Sequence, residues 1–214
     1  STNPNGVIDY KTPGIRDITL RVPFSDIATL HQNLVEVKAN STARAKFSIE
    51  MPAEKYDGVV LGGIVLTKES GQPAVETNQS QAGAVIQNVY SYVVGVKLTE
   101  TDAVVLPDFE LFDVQAQSVD YQPALVHYIR NKEAAIVKDM SVDVTVYKEG
   151  TSEAIAHIVR KDVDMAPNSV MELGATLLGD ENGTIRPLGP CNYTSNVTIE
   201  HEGESWSFEL KFVI

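Results

Sequence analysis

The sequence predicts an all-β protein of two tandem antiparallel β-sandwiches. Apolar side chains alternate with polar ones, Val, Thr, Tyr and Ile dominate the apolar runs, and turn signals separate these runs roughly every 10–15 residues. Helical signals are limited to single turns. Ser25 can cap one turn and residues 131–135 can form another, but neither window reaches the ~12 residues of a stable isolated helix.

The first part of the chain contains short or dense apolar runs. Val35 with Val37, and then residues 47–51, alternate briefly and predict two short strands. The runs at residues 59–66 and 92–98 are denser in apolar side chains. They predict two strands that are covered on both faces.

A polar segment and a glycine pair interrupt these runs. Residues 69–83 are rich in Gly, Pro, Gln, Asn and Ser and predict a long hairpin loop. Gly62 and Gly63 lie inside a predicted strand, with no helix pattern after them, so they do not form a dinucleotide-binding turn. Paired glycines in a strand indicate a bulge or a close approach of another backbone.

Strict alternation marks the second part of the chain. In residues 140–146 every second residue is Met or Val, which predicts a half-buried strand. A polar stretch at residues 99–102, followed by Pro107, divides the chain near residues 99–106, so the predicted domains are residues 1–98 and 99–214. The chain also ends on an alternating run whose large side chains we expect in the core: Trp206, Phe208, Leu210, Phe212 and Ile214.

Composition excludes several classes of protein. The chain has 214 residues, with 29 acidic against 17 basic side chains and a net charge of −12. Nucleic acids and anionic lipids are bound through Lys and Arg, so this charge argues against both as partners. The single cysteine excludes an intrachain disulfide framework and a multi-cysteine zinc site.

No constellation of catalytic residues is visible, and we expect no enzyme activity, cofactor or metal. The four histidines lie in unrelated segments without ligand spacing; His127 and His157 fall in strand-like runs and are expected to be satisfied polar residues. Two interpretations are open for an irregular acidic run: its oxygen atoms bind calcium, or the run forms a solvent-exposed face. Its irregular spacing favours the exposed face. Its members are Asp102, Asp108, Glu110 and Asp113.

Exposed aromatic side chains are candidates for contacts with a partner. Tyr90, Tyr92 and Tyr121 are the first candidates, with Tyr128 and Tyr147 as further candidates. The alternative for each is half-buried packing within a strand, which the alternating pattern favours.

Several motifs resemble those of the WxL-interacting protein family, a family of cell-surface proteins of Gram-positive bacteria. The resemblance covers essentially the whole chain, and it rests on five segments. They are TNPNGVIDY (residues 2–10), MPAEKYDGVVLGGI (51–64), YSYVVGVKLTETD (90–102), MAPNS (165–169) and WSFELKFVI (206–214).

The resemblance implies two Ig-like domains, a first of peptidoglycan-binding type and a second of host- or matrix-binding type. The partners it implies are WxL-domain surface proteins, peptidoglycan and host matrix protein, and it places the parent protein outside the cell, with a membrane anchor beyond this chain. The motif residues also have structural interpretations, because Asp57-Gly58 indicates a turn before the next strand and Pro167-Asn168 suits a turn with a left-handed residue. We therefore interpret the matching residues as mainly structural: Tyr56, Asp57, Gly58, Gly62, Gly63, Pro167 and Asn168.

The start of the chain resembles the middle of the family's first domain. We therefore expect the first sandwich to lack its opening strands, and to be either completed by a second chain or less stable than the second sandwich. The predicted function is a non-enzymatic adaptor that binds WxL-domain proteins and the cell wall. An adhesin that binds host matrix protein directly is the alternative, and a carbohydrate-active enzyme would need paired carboxylates ~5–9 Å apart.

Overall fold

The computed structural model describes residues 1–11, 16–68, 90–179, 183–185 and 188–214. The predicted loop at residues 69–83 lies outside the described residues. The elements, in chain order, are α1 (Phe24–Ile27), β1 (Ala28–Leu30), β2 (Phe47–Ile49), β3 (Val60–Thr67), β4 (Ser91–Leu98), β5 (Phe109–Val119), β6 (Gln122–Asn131), β7 (Val137–Lys148), β8 (Ala154–Met165), β9 (Ser169–Thr176), β10 (Asn192–His201) and β11 (Glu204–Val213). In the described ranges, no helix has the length and apolarity needed to cross a membrane.

Strands β5 to β11 form a β-sandwich. One sheet has the order β5-β6-β9, the other β11-β10-β7-β8, and every strand pair is antiparallel. Side chains of both sheets meet in one core, in which Leu125 and Ile129 from one sheet and Val142 and Val144 from the other are fully buried. The predicted all-β sandwich class is confirmed, whereas the Ig-like assignment within it stays a prediction.

The alternating strand at the end of the chain has the predicted register. The alternating apolar residues of β11 from Trp206 to Phe212 are half-buried against the sandwich core, and the polar residues between them are exposed. The Trp206 ring packs edge-on against Phe109, with 5.0 Å between ring centroids. This contact joins β11 to β5 at the corner where the two sheets approach each other.

The first part of the chain forms two small two-stranded sheets, β1-β2 and β3-β4. Its core cluster has Val22, Ile27 and Val60 as buried members. The prediction that residues 59–66 and 92–98 are covered on both faces is wrong, since Leu66 is 50% and Tyr92 74% exposed. Among the described residues, β3 and β4 pair only with each other, so no further described strand extends their sheet.

Three other local predictions are corrected. The predicted helical turn is present as α1, but Ser25 does not cap it; Ser25 lies inside the turn and accepts a hydrogen bond from Arg16. Residues 131–135 complete β6 and then form a loop rather than a helical turn. Val35 and Val37 lie outside any strand, because two alternating apolar residues do not specify a pairing partner.

Candidate functional site

The motif residues from distant parts of the sequence meet around the loop between β6 and β7, residues 131–135, which we call the junction loop. Asn131 organises it from within the protein. Its buried side-chain amide donates to the carbonyls of Ala135 (2.8 Å) and Ala166 (3.2 Å), and its side-chain oxygen accepts from the Glu133 amide (3.2 Å). Because a buried amide is costly unless it is hydrogen-bonded, these partners fix the loop's path.

The Pro167-Asn168 turn lies in the second half of the chain (residues 99–214) and is hydrogen-bonded to the junction loop. Asn168 has a left-handed backbone with φ of 46°, which Asn tolerates better than most residues, and the predicted turn is confirmed. Its backbone amide donates to the Glu133 carbonyl (3.0 Å) and its side-chain amide donates to the Lys132 carbonyl (2.7 Å).

Gly58 allows the first half of the chain (residues 1–98) to contact the same loop. The Val59 amide donates to the Ala134 carbonyl over 2.8 Å. Gly58 has φ of 99°, and a Cβ atom there would lie 2.5 Å from the Ala134 carbonyl oxygen. Both the backbone angle and the space therefore require glycine at this position.

Tyr56 and Asp57 attach this motif to the segment after β4. The Tyr56 amide donates to Glu100 Oε2 (2.9 Å), and the Thr101 hydroxyl donates to Asp57 Oδ1 (2.6 Å). Burial raises the pKa of the Tyr56 hydroxyl, because the charged phenolate is poorly solvated there.

Gly62 and Gly63 allow other parts of the first half to approach β3. A Cβ atom on Gly62 would overlap the Phe24 ring, and one on Gly63 would lie 2.5 Å from the Tyr10 carbonyl oxygen. The β3-β4 register is continuous through both residues, so the close approach predicted for this pair is present and the bulge is not.

The start of the chain is bound to the end of β8. Thr2 is buried, and its hydroxyl oxygen accepts a hydrogen bond from the Ala166 amide (2.9 Å) and contacts Ser169 Oγ (2.9 Å). The Asp164 amide donates to the Gly6 carbonyl (2.8 Å). Two motifs about 160 residues apart in the sequence are thus directly bonded.

A nearly buried ion pair adds to this attachment. Arg130 on β6 donates to Asp17 Oδ2 and to Glu110 Oε2, each at 2.8 Å, and its guanidinium lies 4.2 Å from the centroid of the Phe112 ring. Burial alone would raise the pKa of Asp17, but hydrogen bonds from Thr19 and Arg130 outweigh it, and the pKa of Asp17 is lowered.

The structure places the aromatic candidates in two separate regions. Tyr90 and Tyr92 lie at the start of β4 in the first half, and both are 74% exposed. Tyr121 lies in the turn between β5 and β6, at the end of these strands opposite the junction loop. None of the three tyrosines lies at the junction loop.

His127 has structural partners, as do Asp108, Glu110 and Asp113 of the acidic run. His127 is fully buried and joins the two sheets, with Nε2 2.8 Å from Ser195 Oγ. Burial lowers the pKa of His127 to about 4, and hydrogen bonding to the Leu173 and Leu125 carbonyls only partly opposes this. Across the described ranges, no group of three or more His, Cys, Asp or Glu side chains is arranged to hold a metal ion.

Sequence reasoning missed the residues that connect the motifs. They are Thr2, Asp17, Arg130, Asn131 and Ser169. Arg130 and Asn131 follow an apolar run directly, which was the available signal that polar groups enter the protein interior there. The hydrogen bonds that connect the motifs, such as Arg130–Asp17, Asn131–Ala166 and Thr2–Ala166, join residues 35 or more positions apart, and the sequence pattern does not identify such pairs.

Together, the fold and the junction define a modular β-sandwich protein whose two parts are hydrogen-bonded to each other. Comparison with protein families identifies both parts: residues 1–68 match the WxL Interacting Protein peptidoglycan binding domain, and residues 81–214 match the WxL Interacting Protein host binding domain. The chain belongs to the WxL Interacting Protein family. No curated protein and no solved structure matches it.

Membership of this family defines the general role of the chain. Both matched domains are binding domains rather than enzymes, and the chain is a binding protein of the cell surface. The domain descriptions identify the cell wall and host proteins as its two classes of partner.

Proposed function

We propose that the protein is a non-enzymatic adaptor that joins WxL-domain proteins to the cell wall and presents a host-binding sandwich. Residues 1–98 form its peptidoglycan-binding domain and residues 99–214 its host-binding domain. This division keeps β4 with β3, its strand partner, although β4 lies within the range of the host-binding match. The parent protein is anchored in the membrane outside this chain.

The observation that carries this proposal is the set of hydrogen bonds between the two parts of the chain at the junction loop and the Pro167-Asn168 turn. Domains joined only by a linker move independently, whereas here backbone and side-chain hydrogen bonds from both matched domains converge on residues 131–135 and 166–169. A firmly bonded junction holds a wall-binding part and a host-binding part in a fixed relation. This is the mechanical property that an adaptor between two surfaces requires.

Co-sedimentation with purified Gram-positive peptidoglycan sacculi tests the wall-binding role. The chain should pellet with sacculi in a saturable manner, and the bound chain should then recruit a purified WxL-domain protein. Recruitment without sacculi would support the WxL interaction alone. Failure to bind either sacculi or the WxL-domain protein would contradict the adaptor function.

The direct adhesin is the second candidate, and the match of residues 81–214 to a host binding domain favours it. Immobilised mammalian extracellular matrix distinguishes the two functions. An adhesin binds matrix with the same affinity whether or not the WxL-domain protein is present. An adaptor that depends on its partner binds matrix only when the WxL-domain protein is added.

A further inference from the structure

The sandwich contains two hairpins that are closed by two-residue turns with left-handed backbone. Between β10 and β11 the turn is Glu202-Gly203, with φ of 50° and 87°, and it joins the paired residues His201 and Glu204. Between β5 and β6 the turn is Asp120-Tyr121, with φ of 50° and 64°. This second turn joins another directly paired couple of residues, at positions 119 and 122.

The two turns differ at their second residue. Left-handed backbone brings Cβ close to the following carbonyl oxygen, so such turns favour glycine, and Gly203 follows this rule. Tyr121 has the same kind of backbone conformation with a large aromatic side chain. Its exposure is 103% of that of a free residue, so packing within the described chain does not compensate for the strain. Uncompensated backbone strain is characteristic of functional positions.

Tyr121 lies at the end of the sandwich farthest from the junction loop. We call this end the distal pole; it comprises the turns at residues 120–121 and 149–153 and the segment 177–178. Hydrogen bonds from the Leu177 amide to the Pro123 carbonyl and from the Leu178 amide to the Ile155 carbonyl connect the segment 177–178 to β6 and β8, next to the two turns. Leu178 is 47% exposed there.

The charged residues of the distal-pole segments are all acidic. They are Asp120, Glu149 and Glu153. One basic residue, Lys148, lies just outside these segments at the end of β7. An exposed aromatic and an exposed leucine within an acidic rim complement a protein surface that has an apolar pocket and a basic rim.

We propose that Tyr121 is the anchor residue through which the distal pole binds a basic surface of a host extracellular-matrix protein. The inference rests on the proposed host-binding function and specifies its contact site. Inserting the Tyr121 ring into a pocket of the partner provides the contacts that the free chain lacks. Interface energetics are commonly dominated by a few such aromatic side chains.

The Tyr121→Gly variant separates binding from stability. Glycine relieves the left-handed strain, so the thermal midpoint should stay the same or rise, while affinity for decellularised mammalian matrix, measured with the WxL-domain protein present, should fall by about tenfold or more. Gly203→Tyr is the matched control, because it places tyrosine in the corresponding turn at the other end of the sandwich. It should lower the thermal midpoint and leave matrix binding unchanged.

Acetylating the matrix lysines tests the charge of the partner. Wild-type chain should bind acetylated matrix more weakly, and equal binding to both preparations would overturn the basic surface. If wild-type chain binds matrix and Tyr121→Gly binds equally well, the anchor role is overturned while host binding stands. If the wild-type chain does not bind matrix even when the WxL-domain protein is added, the host-binding proposal fails, and this inference fails with it.

Discussion

The sandwich of β5 to β11 and the first half of the chain have similar apolar runs but very different burial. In the sandwich, two sheets face each other, and residues such as Leu125 and Val144 are fully buried between them. In the first half, β3 and β4 are at least as apolar in sequence, yet much of their surface is exposed. Burial depends on a second layer as well as on the hydrophobicity of the strand.

The comparison also shows which contacts stabilise the first half. Its own buried cluster is small, and its bonds to the sandwich include those of Thr2 with Ala166, Val59 with Ala134 and Asp17 with Arg130. The first half is therefore stabilised to a large extent by its attachment to the sandwich.

The same leucine truncation in both regions should produce the largest contrast. Leu125→Ala removes fully buried methyl groups and should lower the free energy of unfolding of the sandwich by about 2–5 kcal/mol. Leu66→Ala on β3 removes a half-exposed side chain and should leave the sandwich transition unchanged. Urea denaturation followed by fluorescence of Trp206, the single tryptophan, reports on the sandwich specifically. Equal effects of the two variants would contradict the comparison.

Acid should destabilise the sandwich through His127. Its pKa is about 4 when folded and about 6.5 when unfolded, so the unfolded chain takes up the proton first as the pH falls. The stabilisation is fully present above pH ~6.5 and is lost between about 6.5 and 4, amounting to about 3 kcal/mol.

Urea midpoints measured from pH 7 to 4.5 check this effect. His127→Gln should reduce the pH dependence of the midpoint, whereas His157→Gln, at a surface position 3.3 Å from Asp143, should retain most of it. A pH profile that is the same in His127→Gln and in the wild type would rule out His127 as the titrating group.

Thr2→Val should loosen the attachment between the halves. The substitution keeps the shape of the side chain but leaves the Ala166 amide without its acceptor, an effect of about 1–3 kcal/mol. Hydrogen exchange at Ala166 and Asp164 should accelerate, while exchange at Val144 in the sandwich core should not change. Thr29→Val on β1 is the exposed control, and acceleration of similar size in that variant would contradict a specific role for Thr2.

Alternation was sufficient to predict two of the sandwich strands, β7 and β11. Strict alternation in β7 and β11 predicted which residues face the core, because a period of two leaves one choice of face once a layer exists. The same reasoning failed for Tyr92, since apolar density does not reveal whether a covering layer is present. It also missed the contact between Thr2 and Ser169, which depends on the fold bringing distant segments together.

Hydrogen exchange on the wild-type chain, verified as a monomer, tests the difference between the two regions most directly. The account predicts that amides of β3 (Val60–Thr67) and β4 (Ser91–Leu98) exchange at least roughly a hundredfold faster than those of β7 (Val137–Lys148), because local opening of the first half exposes little additional apolar surface. Stronger protection of β3 and β4 on adding a second chain would indicate that this chain completes the first half. Equal protection of the two regions in the monomer would contradict the account and show that the first half is as stable as the sandwich.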